Sequence, residues 1–299
     1  MSVRLMIRVS PQLVICSGKG PIWMLPILSL FAKRSHLSAF VHGSELTLPS
    51  RVAAAYTVFA LRYSRVIFCV SKFTADLLPE SHSGAVRIIP NGLWLPDFPI
   101  RRPEGLTEIQ SKGSPRLLTV GRISVRKGQF RVVKAMPELL KKWPLLHYHV
   151  VGIDKEGWRL MDLARELGVD RHVTIHGELT SRYELFQAYC SCDVFVMLSQ
   201  RDSNGDVEGF GIAILEANYF GLPAIGAKYC GIEEAIENGL NGYLVDGNNT
   251  SEISTAIELC LKRGKPLAEA IYSWVNKHDW SVLISDLMSD EPASGNLTY

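Results

Sequence analysis

The strongest constraint on how this chain folds is its alternation of short apolar runs with segments of helical period. The runs are LVICS, SAFVH, RVIFCVS, VRIIP, RLLTVG, HYHVVG, HVTIHG, DVFVMLS, LPAIGA and GYLVD. Each is bounded by polar or turn-forming residues and reads as a strand. Amphipathic stretches such as GWRLMDLARELG and SEISTAIELCLKR lie between many of them. Strand–helix alternation implies parallel sheets flanked by helices, so the expected fold class is α/β. There is no internal repeat.

The polar, proline-containing stretch PDFPIRRPEGLTEIQSKGSP is the best candidate linker. It divides the chain into residues 1–103 and 104–272, followed by a terminal segment 273–299. At 299 residues and 47% hydrophobic, the chain has enough apolar surface for two buried cores. A ligand would bind at the carboxyl ends of the strands, facing the cleft between domains. The tail MSDEPASGNLTY reads as disordered.

Several classes are disfavoured. The apolar stretch PIWMLPILSLFA is about a dozen residues, short of the roughly 20 that span a bilayer, and its residues, such as Met24 and Leu25, are expected in a core. The amino terminus lacks a long apolar run and a small-residue cleavage site, so a cytoplasmic location is expected. The cysteines at 16, 69, 190, 192, 230 and 260 are dispersed without zinc-ligand spacing and are expected to be reduced core residues. No metal site and no nucleic-acid partner are expected. No G-x-G-x-x-G follows a strand, which disfavours a nicotinamide enzyme. The segment SGKG follows a strand but lacks phosphate-loop spacing.

Chemistry is concentrated in DVEGFGIAILEANYFGLPAIG. Glu208 leads into Gly209-Phe210-Gly211, and a helix beginning near Ile212 carries Glu216. The glycines let the backbone approach a ligand, and the helix start offers free amides to an anion. If most of the interval is helical, the carboxylates lie roughly 10 Å apart at about 1.5 Å per residue. A ligand with hydroxyls at both ends and a diphosphate between them, such as a nucleotide sugar, has this shape. Upstream, LLTVGRISVRKG ends a strand and sets Arg122, Arg126 and Lys127 in a glycine-containing loop, where cations can neutralise a diphosphate.

The runs GRISVRKG, DVFVMLS, EGFGIAILEA and GLPAIGAKYCGIEEAIENGLNGYLVDG, in this order and spacing, resemble the donor-binding half of the family 4 retaining glycosyltransferases with the GT-B fold. The likeness is closest to phosphatidylinositol mannosyltransferases and polysaccharide-building relatives, and it covers about residues 37 to 290. It implies two Rossmann-like domains facing a cleft and transfer of a hexose from a GDP- or UDP-sugar to a hydroxyl acceptor, lipid-linked or oligosaccharide, without a metal cofactor. It assigns Arg122 and Lys127 to the diphosphate, Glu208 to donor-sugar hydroxyls and Glu216 to ribose, with Gly121 also among the donor-binding residues. The backbone of Gly209, Phe210, Gly211 and Ile212 would contact sugar or phosphate. VHGSEL resembles the segment facing the reacting carbon, making His42 the acceptor-side candidate. Asn91 and Gly92 are read as a turn, and HDWSVLISDL resembles the last family helix, which crosses back onto the first domain.

Two further readings follow. Residues 1–100 hold ten Lys or Arg against four Asp or Glu, a formal +6 that leaves −4 for the rest of the +2 chain. A basic acceptor half suits an anionic lipid carrier or contact with the inner face of a membrane. The amino-terminal domain is shorter than the family pattern and is expected to be incomplete, with weak or absent turnover. The alternative reading is a truncated, non-catalytic nucleotide-sugar-binding protein, or a subunit needing a partner for its acceptor elements.

Overall fold

The computed structural model describes residues 8–32, 35–79, 85–99, 112–203, 205–262 and 264–288. Most of the stretch read as a linker and the tail beyond 288 lie outside the described residues, as does the boundary placed near 103.

The first half runs β1 (Leu13–Ser17), α1 (Lys19–Trp23), α2 (Leu25–Phe31), β2 (His36–Val41), α3 (Arg51–Leu61), β3 (Val66–Cys69), α4 (Lys72–Ala75) and β4 (Ala85–Ile88). Its strands pair in parallel in the order β1-β2-β3-β4. Successive strand residues point to opposite faces, and here the faces have different neighbours. Leu37, Ala39, Val41, Ile67 and Cys69 pack on Ile22, Leu25, Leu28, Ala60 and Leu61 of the helices. Phe40, Phe68 and Val70 face the other way and join a cluster shared with the second half. The stretch expected in a core therefore divides: Leu25 is buried, whereas Met24, Ile27, Leu30 and Phe31 are exposed.

The second half contains β5 (Arg116–Val120), α5 (Gln129–Lys142), β6 (His147–Val151), α6 (Gly157–Glu166), β7 (Val173–Gly177), α7 (Arg182–Ser191) and β8 (Val194–Met197). It continues with α8 (Ile212–Tyr219), β9 (Ala224–Ala227), β10 (Gly242–Val245), α9 (Thr250–Lys262), α10 (Gly264–Lys277) and α11 (Trp280–Met288). Six parallel strands lie in the order β10-β9-β8-β5-β6-β7. Buried Leu117, Val194 and Val196 meet Val132, Val133, Met136 and Leu139 of α5, whose spacing puts them on one helix face. Leu118 and Phe195 fill the opposite face against α7 and α8. Each such fully buried side chain contributes roughly 1.5–3 kcal/mol.

The strand order reverses between β5 and β8, because β6 and β7 lie to one side and β9 and β10 to the other. The connections leaving those two strands diverge and open a crevice at their carboxyl ends, the general ligand position in open parallel sheets. At its end the chain returns to the first half. Leu93 N donates to His278 O at 2.8 Å, Trp280 N donates to Leu93 O at 2.9 Å, and the Trp280 ring lies 6.4 Å from that of Phe40.

Candidate functional site

A cavity of about 380 Å³ occupies this crevice. The ends of β5 and β8 supply Val120, Gly121 and Met197 as its floor. Lys127 comes from the loop after β5, and Glu208 to Ala213 and Glu216 from the loop after β8 and helix α8. The first half adds His42, just past β2, and Asn91, past β4.

The loop after β5 is held by Gln129, which is fully buried at the start of α5. Its Nε2 donates to Arg122 O at 3.1 Å, and its Oε1 accepts from Ser124 N at 3.4 Å. The turn Val125–Lys127 then brings two cations to one carboxylate. Lys127 Nζ lies 2.6 Å and Arg126 Nη1 2.9 Å from Glu208 Oε2, and Arg126 Nε also reaches Asp206 at 3.2 Å. Burial alone would push the Glu208 carboxyl up, but the Lys127 ammonium and Arg126 guanidinium outweigh it and leave its pKa below the usual value. Glu208 is thus an anion whose charge is already matched, and Lys127 is positioned to be shared with a second anion.

Downstream, Gly211 has φ of 95° and opens α8 as its N-cap, a conformation glycine adopts without steric cost. Gly209 is needed for another reason: a Cβ there would collide with the His42 carbonyl oxygen. The Gly209 carbonyl accepts from Ser71 Oγ at 2.8 Å, and Gly231 N donates to Glu208 O at 2.9 Å. The loop is therefore gripped from both halves. Nearby, Glu234 Oε1 accepts from Phe73 N at 3.1 Å, a second polar tie across the crevice. The Phe210 ring is buried, 6.0 Å from the His278 ring, so its amide rather than its side chain is available to a ligand. No acceptor among the described residues meets the amides of Phe210, Gly211 and Ile212, the last two being the N-cap and first residue of α8, where free amides are expected. Together with Lys127 they line one side of the cavity, an arrangement that can receive an anion.

Glu216 lies one turn into α8. Its Oε2 accepts from the buried Tyr189 hydroxyl at 2.6 Å. Burial raises its pKa, opposed by the Tyr189 hydrogen bond and the charge of Arg182. On the facing side, His42 N donates to the buried Glu45 carboxylate at 3.0 Å, and the His42 Nε2 lies 2.9 Å from Ser17 Oγ. Backbone and ring are both anchored.

Of the residues singled out from sequence, His42, Gly121, Lys127, Glu208, Gly209, Phe210, Gly211, Ile212 and Glu216 bound one cavity. Arg122 does not: it is exposed and lies outside the cavity lining. Its neighbour Arg126 turns inward to the Glu208 carboxylate. Asn91, read as a turn residue, is buried and lines the cavity. Tyr189, Ser71 and Glu234 had no local signal, since each acts on a residue 27 or more positions away.

Two parallel Rossmann-like sheets that meet at a crevice holding cations, a helix start and two carboxylates define the GT-B class of α/β proteins. The chain aligns with an Anabaena HepE structure in complex with UDP-glucose over 95% of its own length and 80% of that chain, with a TM-score of 0.74 and 19% identity. A Thermosynechococcus elongatus sucrose-phosphate synthase aligns over 95% and 74%, with a TM-score of 0.76 and 19% identity. Residues 107–273 match the family described as glycosyl transferases group 1, and the chain belongs to that family. Among curated relatives, a GDP-mannose-dependent alpha-(1-6)-phosphatidylinositol monomannoside mannosyltransferase of Mycolicibacterium smegmatis is 30% identical over 254 residues, 80% of this chain and 64% of that protein. The Mycobacterium tuberculosis H37Rv protein of the same description is 28% identical over 280 residues, 90% of this chain and 72% of that one. The chain thus spans about two thirds of the length of these relatives.

Proposed function

We propose that the chain is a retaining glycosyltransferase. It moves a hexose from a nucleoside-diphosphate sugar to a hydroxyl acceptor in glycolipid or cell-surface polysaccharide synthesis. The observation that carries this reading is the placement of Lys127, the free amides of 210–212, Glu208 and Glu216 around one cavity, with His42 facing them from the other half. In this reading the diphosphate lies on the α8 amides beside Lys127, Glu208 holds donor-sugar hydroxyls and Glu216 holds ribose. The bond from the anomeric carbon to the diphosphate breaks as that carbon bonds to the acceptor oxygen. The acceptor proton leaves with the diphosphate. Charge stabilisation of the leaving group by Lys127 and the helix start supplies much of the rate, and no metal is needed. His42 lies on the acceptor side. The exposed Arg122 would meet only the outer edge of the diphosphate.

The names of the relatives favour GDP-mannose as donor over a UDP-sugar and a glycolipid as acceptor. A membrane-facing role is supported by the outer faces of α2 and α3. Leu30 and Phe31 of the first, and Val52, Tyr56 and Phe59 of the second, are exposed beside Arg51 and Arg62. An apolar stripe rimmed by cations suits an anionic leaflet on the cytoplasmic side. Among the described residues, no helix is long and apolar enough to cross a membrane.

The deciding experiment is a thermal-shift panel of nucleoside diphosphates and their sugars, followed by transfer assays with lipid extracts using the donor that binds. Transfer, however slow, that survives EDTA and is abolished by Glu208→Ala is the expected result. Donor binding without any hydrolysis or transfer would replace the enzyme reading with a binding role.

A further inference from the structure

Tyr189 belongs to α7, and its side chain is not part of the cavity wall. Its hydroxyl nevertheless ends on Glu216, which is. The ring is 1% exposed, stacked at 13° on Phe220 with centroids 5.8 Å apart, and 6.1 Å from Phe195. Enclosed in this way, the phenol has little freedom beyond rotation of its O–H, and the acceptor in reach is Glu216 Oε2 at 2.6 Å. A glutamate carboxylate otherwise turns easily about its last torsion, which is broad and two-fold. One oxygen pinned from below leaves the other with a set direction, and three of the four lone-pair positions stay open to a ligand.

We propose that Tyr189 is a positioning residue for the nucleoside: by holding Glu216 Oε2 it fixes the carboxylate plane and presents the free oxygen to the ribose 2′ and 3′ hydroxyls. This rests on the reading that Glu216 meets ribose. The electrostatics support it. Burial, and then the Glu216 charge, raises the Tyr189 pKa well above the ordinary phenol value, so the phenol remains a donor. Burial raises the Glu216 pKa, and the Tyr189 hydrogen bond is the first influence opposing that rise. The groups facing this carboxyl are Tyr189 and Arg182 from α7, with Lys127, Glu208 and His42 around the cavity. Without the phenol, Glu216 would lose both its direction and part of the support for its charge.

The test is calorimetry on the full chain with whichever of GDP and UDP binds, and with the corresponding 2′,3′-dideoxy nucleotide. Tyr189→Phe keeps the ring and removes the hydroxyl. It is expected to weaken the ribonucleotide roughly fivefold to tenfold, less than the roughly 10- to 150-fold worth of one hydrogen bond to a charged group because the ligand keeps its own bonds to Glu216, and to leave the dideoxy form unchanged. The acid limb of ribonucleotide binding should move to higher pH. In a Glu216→Gln background, Tyr189→Phe should add less than twofold, since the two would act through one contact. If Glu216→Gln discriminates the two sugars while Tyr189→Phe weakens both equally or neither, the positioning role is overturned and the ribose reading survives. If Glu216→Gln itself fails to discriminate them, both fall. Purely structural damage would lower the melting temperature and weaken both nucleotides alike, which also counts against the proposal.

Discussion

Replacing Lys127 with alanine separates the two jobs assigned to its ammonium. In the free protein it lies 2.6 Å from Glu208 Oε2, both side chains less than a fifth exposed, with Arg126 on the same oxygen at 2.9 Å. Because Arg126 remains, the substitution does not orphan the carboxylate. The stability loss should therefore sit near the lower end of the 1.5–3 kcal/mol range for a hydrogen bond to a charged group, about 1.5 kcal/mol. For ligand binding the same range corresponds to roughly 10- to 150-fold in affinity. Wild-type Lys127 must share or surrender its Glu208 contact when a diphosphate arrives, which offsets part of that gain. The expected loss for GDP or UDP is therefore about tenfold, with guanosine or uridine unaffected. Calorimetry with matched nucleosides and nucleoside diphosphates reads this directly. Equal losses for nucleoside and diphosphate, or no loss for the diphosphate, would remove Lys127 from the phosphate position.

Three other outcomes test different parts of the structure. Glu208→Gln should penalise only the intact nucleotide sugar, whereas Glu216→Gln should penalise nucleoside diphosphate and nucleotide sugar alike; indistinguishable calorimetric profiles would refute the division of labour. Gly209→Ala puts a methyl against the His42 carbonyl oxygen, a clash that costs roughly 1–3 kcal/mol, so its urea midpoint should fall; a midpoint equal to wild type would refute the close approach. Burial of His147 and His149, reinforced by neighbouring charges, lowers their pKa values from 6.5 to about 4 and about 3. The unfolded chain takes up these protons below about pH 6.5 while the folded chain resists them, so stability should fall as pH drops from 6.5 toward 4, by at most about 1.4 kcal/mol per pH unit per ring. Unchanged urea midpoints at pH 7 and pH 5 would contradict buried, neutral rings.

The strands were legible because each is a short apolar run punctuated by turn residues; RLLTVG and HYHVVG became β5 and β6 within a residue. Their order was not legible, since nothing local states that β5 lies between β6 and β8. The same division holds at the site. Glu208 and Glu216 stood out because glycines and a helix start surround them in sequence. Their partners come from other loops and helices: Lys127 is 81 positions from Glu208, and Tyr189 reads locally as one more aromatic in a buried helix. Asn91 fits a turn by composition, yet the fold brings the segment after β4 to the mouth of β5. Arg122 and Arg126 are alike in sequence, and only the path of the loop, set by Gln129, distinguishes the exposed cation from the paired one.

The clasp on Gly209 has a consequence for how the molecule handles its ligand. The peptide proposed to meet a donor phosphate is held by Ser71 and pressed against His42, both from the opposite half, while Glu234 reaches back to Phe73. Any ligand that favours this loop geometry also favours the two halves staying together, and separation of the halves relaxes the loop. By thermodynamic reciprocity the coupling is the same in both directions. In the proposed reaction, grip on the donor and exclusion of water from the reacting carbon would then rise and fall together, so that the donor would be bound most firmly when stray hydrolysis is least able to waste it.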